Sequence, residues 1–358
     1  MEACRRMTIP AVAREFTSRL GLGLPIIQAP MAGFQTGALA GAVGDAGALG
    51  SLPGAALSPQ ALRDEVAALR ARAARALNHN FFCHVAPEPD AVREAAWRAA
   101  LAPWFAEFGV DPATIADGPG RLPFGEEAVA TIEALRPEVV SFHFGLPSAE
   151  LLGRVRRAGA QVWSSATTVA EARWLEAQGV DAVIAQGAEA GGHRGMFLTD
   201  DLTTQLGTFA LLPQVVAAVR LPVIATGGIA DAAGVAAALR LGAAAVQLGT
   251  AFLLCPEATT SAPHRAALQS ESASHTALTR VFSGRPARGI VNRLMRELGP
   301  MSPLAPEFPR AVNAIAPLRA AAEKAGSGDF SPLWAGQNVS GCRPIPAAEL
   351  VRALASGL

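Results

Sequence analysis

Short apolar runs, each bounded by glycine or proline, recur eight times along the chain: Pro25–Met31, Ala46–Leu52, Ala76–Phe82, Val139–Gly145, Gln161–Thr167, Asp181–Gly187, Pro222–Gly228 and Ala244–Thr250. They are rich in Val, Ile, Ala and Phe, as strands buried on both faces are. Helical patterns separate them. Thr36–Asp45 is built from small residues, and Pro59–Ala73 places Leu62, Val66 and Leu69 at helical spacing. Ser148–Arg157 begins at a capping serine, Val169–Gln178 stops before Gly179, Phe209–Val219 follows, and Asp231–Leu241 is capped by Asp231 and ended by Gly242.

Strand alternating with helix through short linkers predicts a parallel sheet with right-handed crossovers. Eight such units predict closure into an α/β fold, a parallel (β/α)8 TIM barrel. Two stretches break the rhythm. Ala86–Gly125 is too long for a simple connection and reads as a helical excursion with a loop. Cys255–Pro303 is polar and follows the last strand, so it predicts a small helical cap over the barrel mouth. The expected organisation is therefore a cofactor-binding barrel at 1–254, a cap at 255–303 and C-terminal helices at 304–358 packing back on the barrel.

Composition narrows the chemistry. The 358 residues are 51% hydrophobic and 17% charged, enough for a sizeable core. Formal net charge is zero and no basic block occurs, which gives no support for a nucleic-acid or anionic-membrane partner. Leu20–Gly44 is uncharged, but Pro25, Gln28, Pro30 and Gln35 interrupt it, so it predicts strand, loop and helix rather than a membrane span. Met1–Leu20 carries charges throughout and predicts no signal peptide. The scattered Cys4, Cys83, Cys255 and Cys342 read as reduced thiols of a cytoplasmic protein. The chain has no tyrosine, and its one lysine, Lys324, lies far from every strand, which argues against a Schiff-base aldolase.

Candidate chemistry gathers where strands end. The seventh and eighth runs end in Thr226-Gly-Gly-Ile229 and Gln247-Leu-Gly-Thr250. Gly227 and Gly228 let backbone approach a ligand, their amides and the next helix start suit an anion, and Thr250 adds a hydroxyl. The loops after the last two strands are where such barrels hold phosphate. No Gly-x-Gly-x-x-Gly joins a strand to a helix, so the ligand reads as a barrel-bound mononucleotide such as FMN rather than a Rossmann dinucleotide. The sixth run leads into Gly191-Gly192-His193-Arg-Gly195. Glycines there let backbone lie along a flat ring and leave His193 unscreened, a candidate proton acceptor or hydrogen-bond donor. Asn80 and Gln186, amides at strand ends, suit a pyrimidine edge. Gln28-Ala-Pro-Met-Ala-Gly33 offers a backbone ledge, with Met31 either against a ring face or in the core. Ser141, His143 and Gly145 share one strand face and Phe142 and Phe144 the other, with the inward face left open. His79 and His84 suit no common metal geometry, His264 and His275 read as solvated, and no metal site is expected.

The chain resembles the nitronate monooxygenase (2-nitropropane dioxygenase) family. The resemblance runs over roughly 25–254, on Pro25-Ile-Ile-Gln-Ala-Pro-Met-Ala-Gly33, Asn80-Phe-Phe82, Ala185–Gly195, Thr226–Ile229 and Gln247–Phe252. It implies an FMN-containing barrel that oxidises alkyl nitronates and nitroalkanes with O2 to a carbonyl compound and nitrite. By that resemblance Ala29, Pro30, Met31, Asn80, Gln186, Gly191, Gly228, Gln247, Leu248, Gly249 and Thr250 contact FMN, beside Gly192 and Gly227, and His193 faces the substrate. Some members line the substrate pocket with tyrosines. Here that space falls to Phe142, Phe144, His143 or Trp334. On the same scaffold, NAD(P)H-dependent enoyl-acyl carrier protein reductases and quinone reductases share the glycine-flanked histidine region. A barrel keeping FMN without catalysis is the remaining reading.

Overall fold

The computed structural model describes residues 7–73, 75–116, 118 and 120–358; Cys4 lies outside them. Its strands are β1 (Ile26–Gln28), β2 (Gly50–Leu52), β3 (Leu77–Phe82), β4 (Val139–His143), β5 (Gln161–Ala166), β6 (Ala182–Gln186), β7 (Gly192–His193), β8 (Val223–Thr226), β9 (Ala245–Leu248), β10 (Thr276–Thr279) and β11 (Ala287–Ile290). Eight of these form one parallel sheet in the order β1-β9-β8-β6-β5-β4-β3-β2. Its two edges meet where Ile27 bridges Leu49 in parallel, with Leu49 N donating to Ile26 O at 2.9 Å. The expected eight-unit α/β barrel is present, each of its strands lying within an apolar run.

Local chemistry explains the helices between them. Ser58, Ser148, Thr168 and Asp231 each accept a backbone amide from the first turn of the helix they precede, satisfying a donor that has no partner inside the helix. The main core lies between sheet and surrounding helices, and includes Leu39, Leu62, Val66, Leu175, Val215 and Leu239. The helix Ala11–Arg19, absent from the pattern reading, closes the N-terminal end of the barrel. Its Phe16 sits 5.4 Å from Trp163, among Val139, Ile184 and Ala245. With that end plugged, the barrel opens only at the C-terminal ends of its strands.

A second core stands over the open end. It draws on three stretches: the helix Ala91–Phe108 (Trp97, Leu101, Trp104, Phe105), the segment after β9 (Phe282, Leu294, Met295) and the helix Ala311–Lys324 (Ala314, Ile315, Leu318). The segment 255–303 contains two short helices, Ala262–Leu268 and Arg293–Leu298, and between them the antiparallel pair β10–β11. That pair recruits β7, so Ala287 lies opposite His193. The final helix, Ala347–Leu354, returns to the barrel core through Leu350, Val351 and Leu354. His264 is buried, edge-on to Phe34 at 5.1 Å, which corrects the expectation that it is solvated. His275 is exposed. Cys83, Cys255 and Cys342 are free thiols. Among the described residues no helix is long and apolar enough to cross a membrane, and no His/Cys/Asp/Glu group is placed to hold a metal ion.

Candidate active site

A cavity of about 580 Å³ fills the C-terminal mouth of the barrel. Of the residues singled out in the sequence for cofactor or substrate, Ala29, Pro30, Met31, Asn80, His143, Gln186, Gly191, Gly192, His193, Gly227, Gly228, Gln247, Leu248, Gly249, Thr250 and Trp334 line it, and Phe142 and Phe144 do not. Convergence from so many chain segments follows from topology, since every parallel strand delivers its last residues to the same rim.

On one side, the ends of β8 and β9 supply glycine backbone and a threonine hydroxyl, groups that could cradle an anion. Gly228 has φ of 70°, a left-handed conformation that glycine adopts at no steric cost. The Thr250 hydroxyl accepts from Gly336 N at 2.9 Å, which leaves its proton free for a ligand. Asn338 Nδ2 donates to Gly228 O at 3.0 Å, so residues 336–338 wall in the cradle from the far end of the chain. Beside it, Gln247 Oε1 is buried and has no hydrogen-bond donor among the described residues. A buried acceptor without a partner costs about 1–3 kcal/mol, so this atom calls for a donor on a ligand. The β1 exit is rigid: Gln35 Oε1 accepts both Met31 N and Gln28 Nε2 at 2.7 Å. Met31 lines the cavity and also packs against two apolar cores, which joins the two roles left open by the sequence.

On the other side stands His193, on a loop pinned by buried polar groups. Arg194, fully buried, donates to Gly187 O at 2.7 Å, Gln186 O at 2.8 Å and Gln205 Oε1 at 3.0 Å. Glu171, also fully buried, accepts from Phe197 N at 2.6 Å and Thr167 N at 2.7 Å. The Gln186 amide holds the same loop, donating to His193 O at 2.9 Å and accepting from Gly195 N at 2.7 Å. Gln186 therefore reaches the cavity with most of its hydrogen bonding committed to loop geometry. The inward face of β4 proves to be Ser141 and His143. Phe142 points out into the core, 5.1 Å from Phe124. His143 Nε2 lies 3.1 Å from His193 O and Nδ1 lies 2.9 Å from Ser165 Oγ. A carbonyl only accepts, so Nε2 carries the proton and Nδ1 accepts from the serine.

His193 Nε2 lies 2.8 Å from Ser283 Oγ, which in turn donates to Arg285 O at 3.3 Å. With the serine proton on that carbonyl, His193 Nε2 is the donor and Nδ1 keeps its lone pair. Burial is the main cause that holds the His193 pKa well below its ordinary value, reinforced by the charges of His143, Arg121 and Arg285. Burial likewise brings His143 and His84 down to about 4. All three imidazoles are neutral near pH 7.

The walls around His193 are aromatic. Ring centres of Phe308, Trp334, Phe144 and Phe82 lie 5.2, 5.6, 5.9 and 6.1 Å from the imidazole. Phe144, at a φ of 70° that is uncommon outside glycine, packs against Phe82 and Phe308 without lining the cavity. The wall facing the cavity is thus Phe82 and Phe308 with Trp334, Val312 and Ile315, not Phe142. Sequence reading missed Phe308, Ser283, Gly336 and Asn338, which come from beyond the barrel. Only Trp334, named for the substrate space, signalled that stretch. Arg121 also enters the cavity, from the loop before the helix Glu126–Leu135.

Comparison with known proteins accords with this geometry. A family profile described as nitronate monooxygenase matches residues 15–357. Nitronate monooxygenase of Paraburkholderia phytofirmans is 44% identical over 97% of this chain and 96% of its own length. That of Pseudomonas aeruginosa is 43% identical over 96% and 98%. Among solved structures, nitroalkane oxidase from Streptomyces ansochromogenes superposes with a TM-score of 0.86 at 41% identity, covering 94% of this chain and 96% of its own. FabK from Thermotoga maritima is more distant, at 0.71 and 27%, covering 96% and 95%.

Proposed function

The chain belongs to the nitronate monooxygenase family, and from that premise we propose that its barrel mouth binds FMN and oxidises alkyl nitronates with dioxygen to a carbonyl compound and nitrite. The observation that carries the reading is the pairing, in one cavity, of an anion cradle on β8–β9 with a neutral imidazole held by the β6 loop. FMN fits the residues present. Gly228 and Thr250 would take its phosphate, the orphaned Gln247 Oε1 would accept from its ring, and the Gly191–Gly192 backbone would lie along it. When bound, FMN supplies the redox centre for substrate and oxygen.

The protein's own groups do the rest. Met31 and the aromatic wall exclude water. His143, Gln186 and Arg194 fix the His193 backbone, and Ser283 holds Nε2, which leaves Nδ1 as the ring's free acceptor. An imidazole whose pKa is depressed is a weak base, so removing a carbon-bound proton from a neutral nitroalkane is slow. A nitronate arrives already deprotonated and needs no such step. The site therefore favours nitronates over their parent nitroalkanes.

The test is anaerobic mixing of the purified yellow protein with ethylnitronate and, separately, NADH, following flavin absorbance. Bleaching by ethylnitronate, with nitrite released on admitting air, is the expected result. Bleaching by NADH alone would replace this reading with a nicotinamide-linked reductase of the FabK kind.

A further inference from the structure

Among the described residues two charged side chains line the cavity, Arg121 and Arg319, and no carboxylate does. Arg319 is neutralised by Glu323, with Nε 2.8 Å from Oε1. Arg121 is different. Its guanidinium lies over the Phe82 ring, Cζ 5.3 Å from the ring centre, and takes no hydrogen bond or ion pair from the described residues. Its main chain is fixed by His84 Nε2, 3.0 Å from Arg121 O, and His84 in turn is held edge-on by Phe308 at 4.8 Å. Nearby Arg285 makes a useful contrast. It stacks on Phe144 at 4.2 Å but donates to Met196 O and does not reach the cavity.

Position separates Arg121 from the anion cradle. Phe82 ends β3, and the sheet order places β3 across the barrel from β8 and β9. Phe82 also flanks His193, so imidazole and guanidinium stand on one aromatic platform. A guanidinium partly withdrawn from water and left unpaired is costly, and a planar fork of N–H donors matches a planar two-oxygen anion.

We propose that Arg121 is the substrate anchor, binding the two oxygens of the nitronate group while its hydrocarbon rests against Phe82, Phe308 and Val312. The inference rests on the nitronate reading above and extends it to a residue outside the family motifs. It also accounts for how a pocket without a single tyrosine holds an anion: one charged fork replaces hydroxyl donors.

The test measures Arg121→Met and Arg121→Lys in the FMN-loaded protein, with flavin content and circular dichroism confirming the fold. Calorimetric titration with nitrite, itself a bent two-oxygen anion, reads the anchor without turnover, and steady-state oxidation of ethylnitronate reads it with turnover. Arg121→Met is expected to weaken nitrite binding at least tenfold and to raise KM at least tenfold, more than it lowers kcat. Arg121→Lys should recover part of both. Nitrite affinity and KM that stay at the wild-type values in both folded variants would overturn the anchor. If the wild type binds nitrite through Arg121 yet oxidises no nitronate, the anchor stands and the proposed reaction falls.

Discussion

His193 concentrates the chemistry of one residue. Its ring is half-buried in the aromatic wall, and desolvation, with Arg121 and Arg285 adding to it, holds its pKa well below the ordinary value, which keeps it neutral and weakly basic. His193→Ala should therefore retain flavin and lower kcat/KM for neutral nitroethane by roughly 10²–10⁴. With ethylnitronate, which needs no base, the loss should stay near tenfold or below. Equal losses on the two substrates would assign the imidazole to nitro-group binding instead. Side-chain chemistry of this kind was legible in the sequence where it is local. Glycines around His193 and the Gly227-Gly228 pair announce close backbone approach by themselves. Ser283, which orients that imidazole from 90 residues away, leaves no local trace. Nor could alternation along β4 decide whether His143 or Phe142 faces inward, because a period of two defines two faces without saying which one is buried by what.

At the scale of elements, the eight strands and the helices between them follow from short apolar runs and capping residues. The pieces that complete the site do not. The antiparallel pair β10–β11 lies in a polar segment, and it becomes a sheet only because β7 gives it a third strand beside His193. The helix Ala91–Phe108 reads locally as an excursion, and its purpose appears only when Trp97 and Phe105 pack with Leu318 from the other end of the chain. The β6 loop shows what such long-range pinning contributes. Arg194→Met would remove three hydrogen bonds; Gly187 O keeps Ala190 N at 3.1 Å and Gln205 is only half-buried, so the cost is about 2 kcal/mol. Differential scanning calorimetry should record a fall of roughly 3 °C, with activity reduced as His193 loses its place. A melting temperature within a degree of wild type would mean that water replaces the guanidinium at no cost.

The molecule as a whole carries two graded properties. The first is acid sensitivity. His79 is buried with a pKa near 3, and His84, His143 and His264 with values near 4. Desolvation is the leading cause at each. Above pH 6.5 these rings are neutral whether the chain is folded or not, and they cost nothing. Between pH 6.5 and 4 the unfolded chain takes up protons that the fold refuses, so stability falls as pH falls. Each ring contributes on the order of 3 kcal/mol at the acid limit. Thermal midpoints taken at pH 7.5, 6, 5 and 4.5 should decline steadily, and a flat profile down to pH 5 would contradict the buried neutral assignment. The second property is the apolar wall opposite the anion cradle. Each added methylene of an n-alkyl nitronate should gain about 0.8 kcal/mol, about fourfold in kcat/KM, until the cavity is full. A rate that falls from ethyl- to butylnitronate would mean that the space is narrower than its walls suggest.

Residues 336–338 close the cradle around Thr250 and Gly228, and this has a consequence for biogenesis. While the ribosome is still translating that stretch, the barrel strands have already emerged, yet the phosphate seat lacks one of its walls. If the cavity takes FMN as proposed, its capture waits until that stretch has been made. A chain cut before residue 336 also lacks the helix Ala347–Leu354 and its share of the barrel core, so it should be less stable as well as colourless.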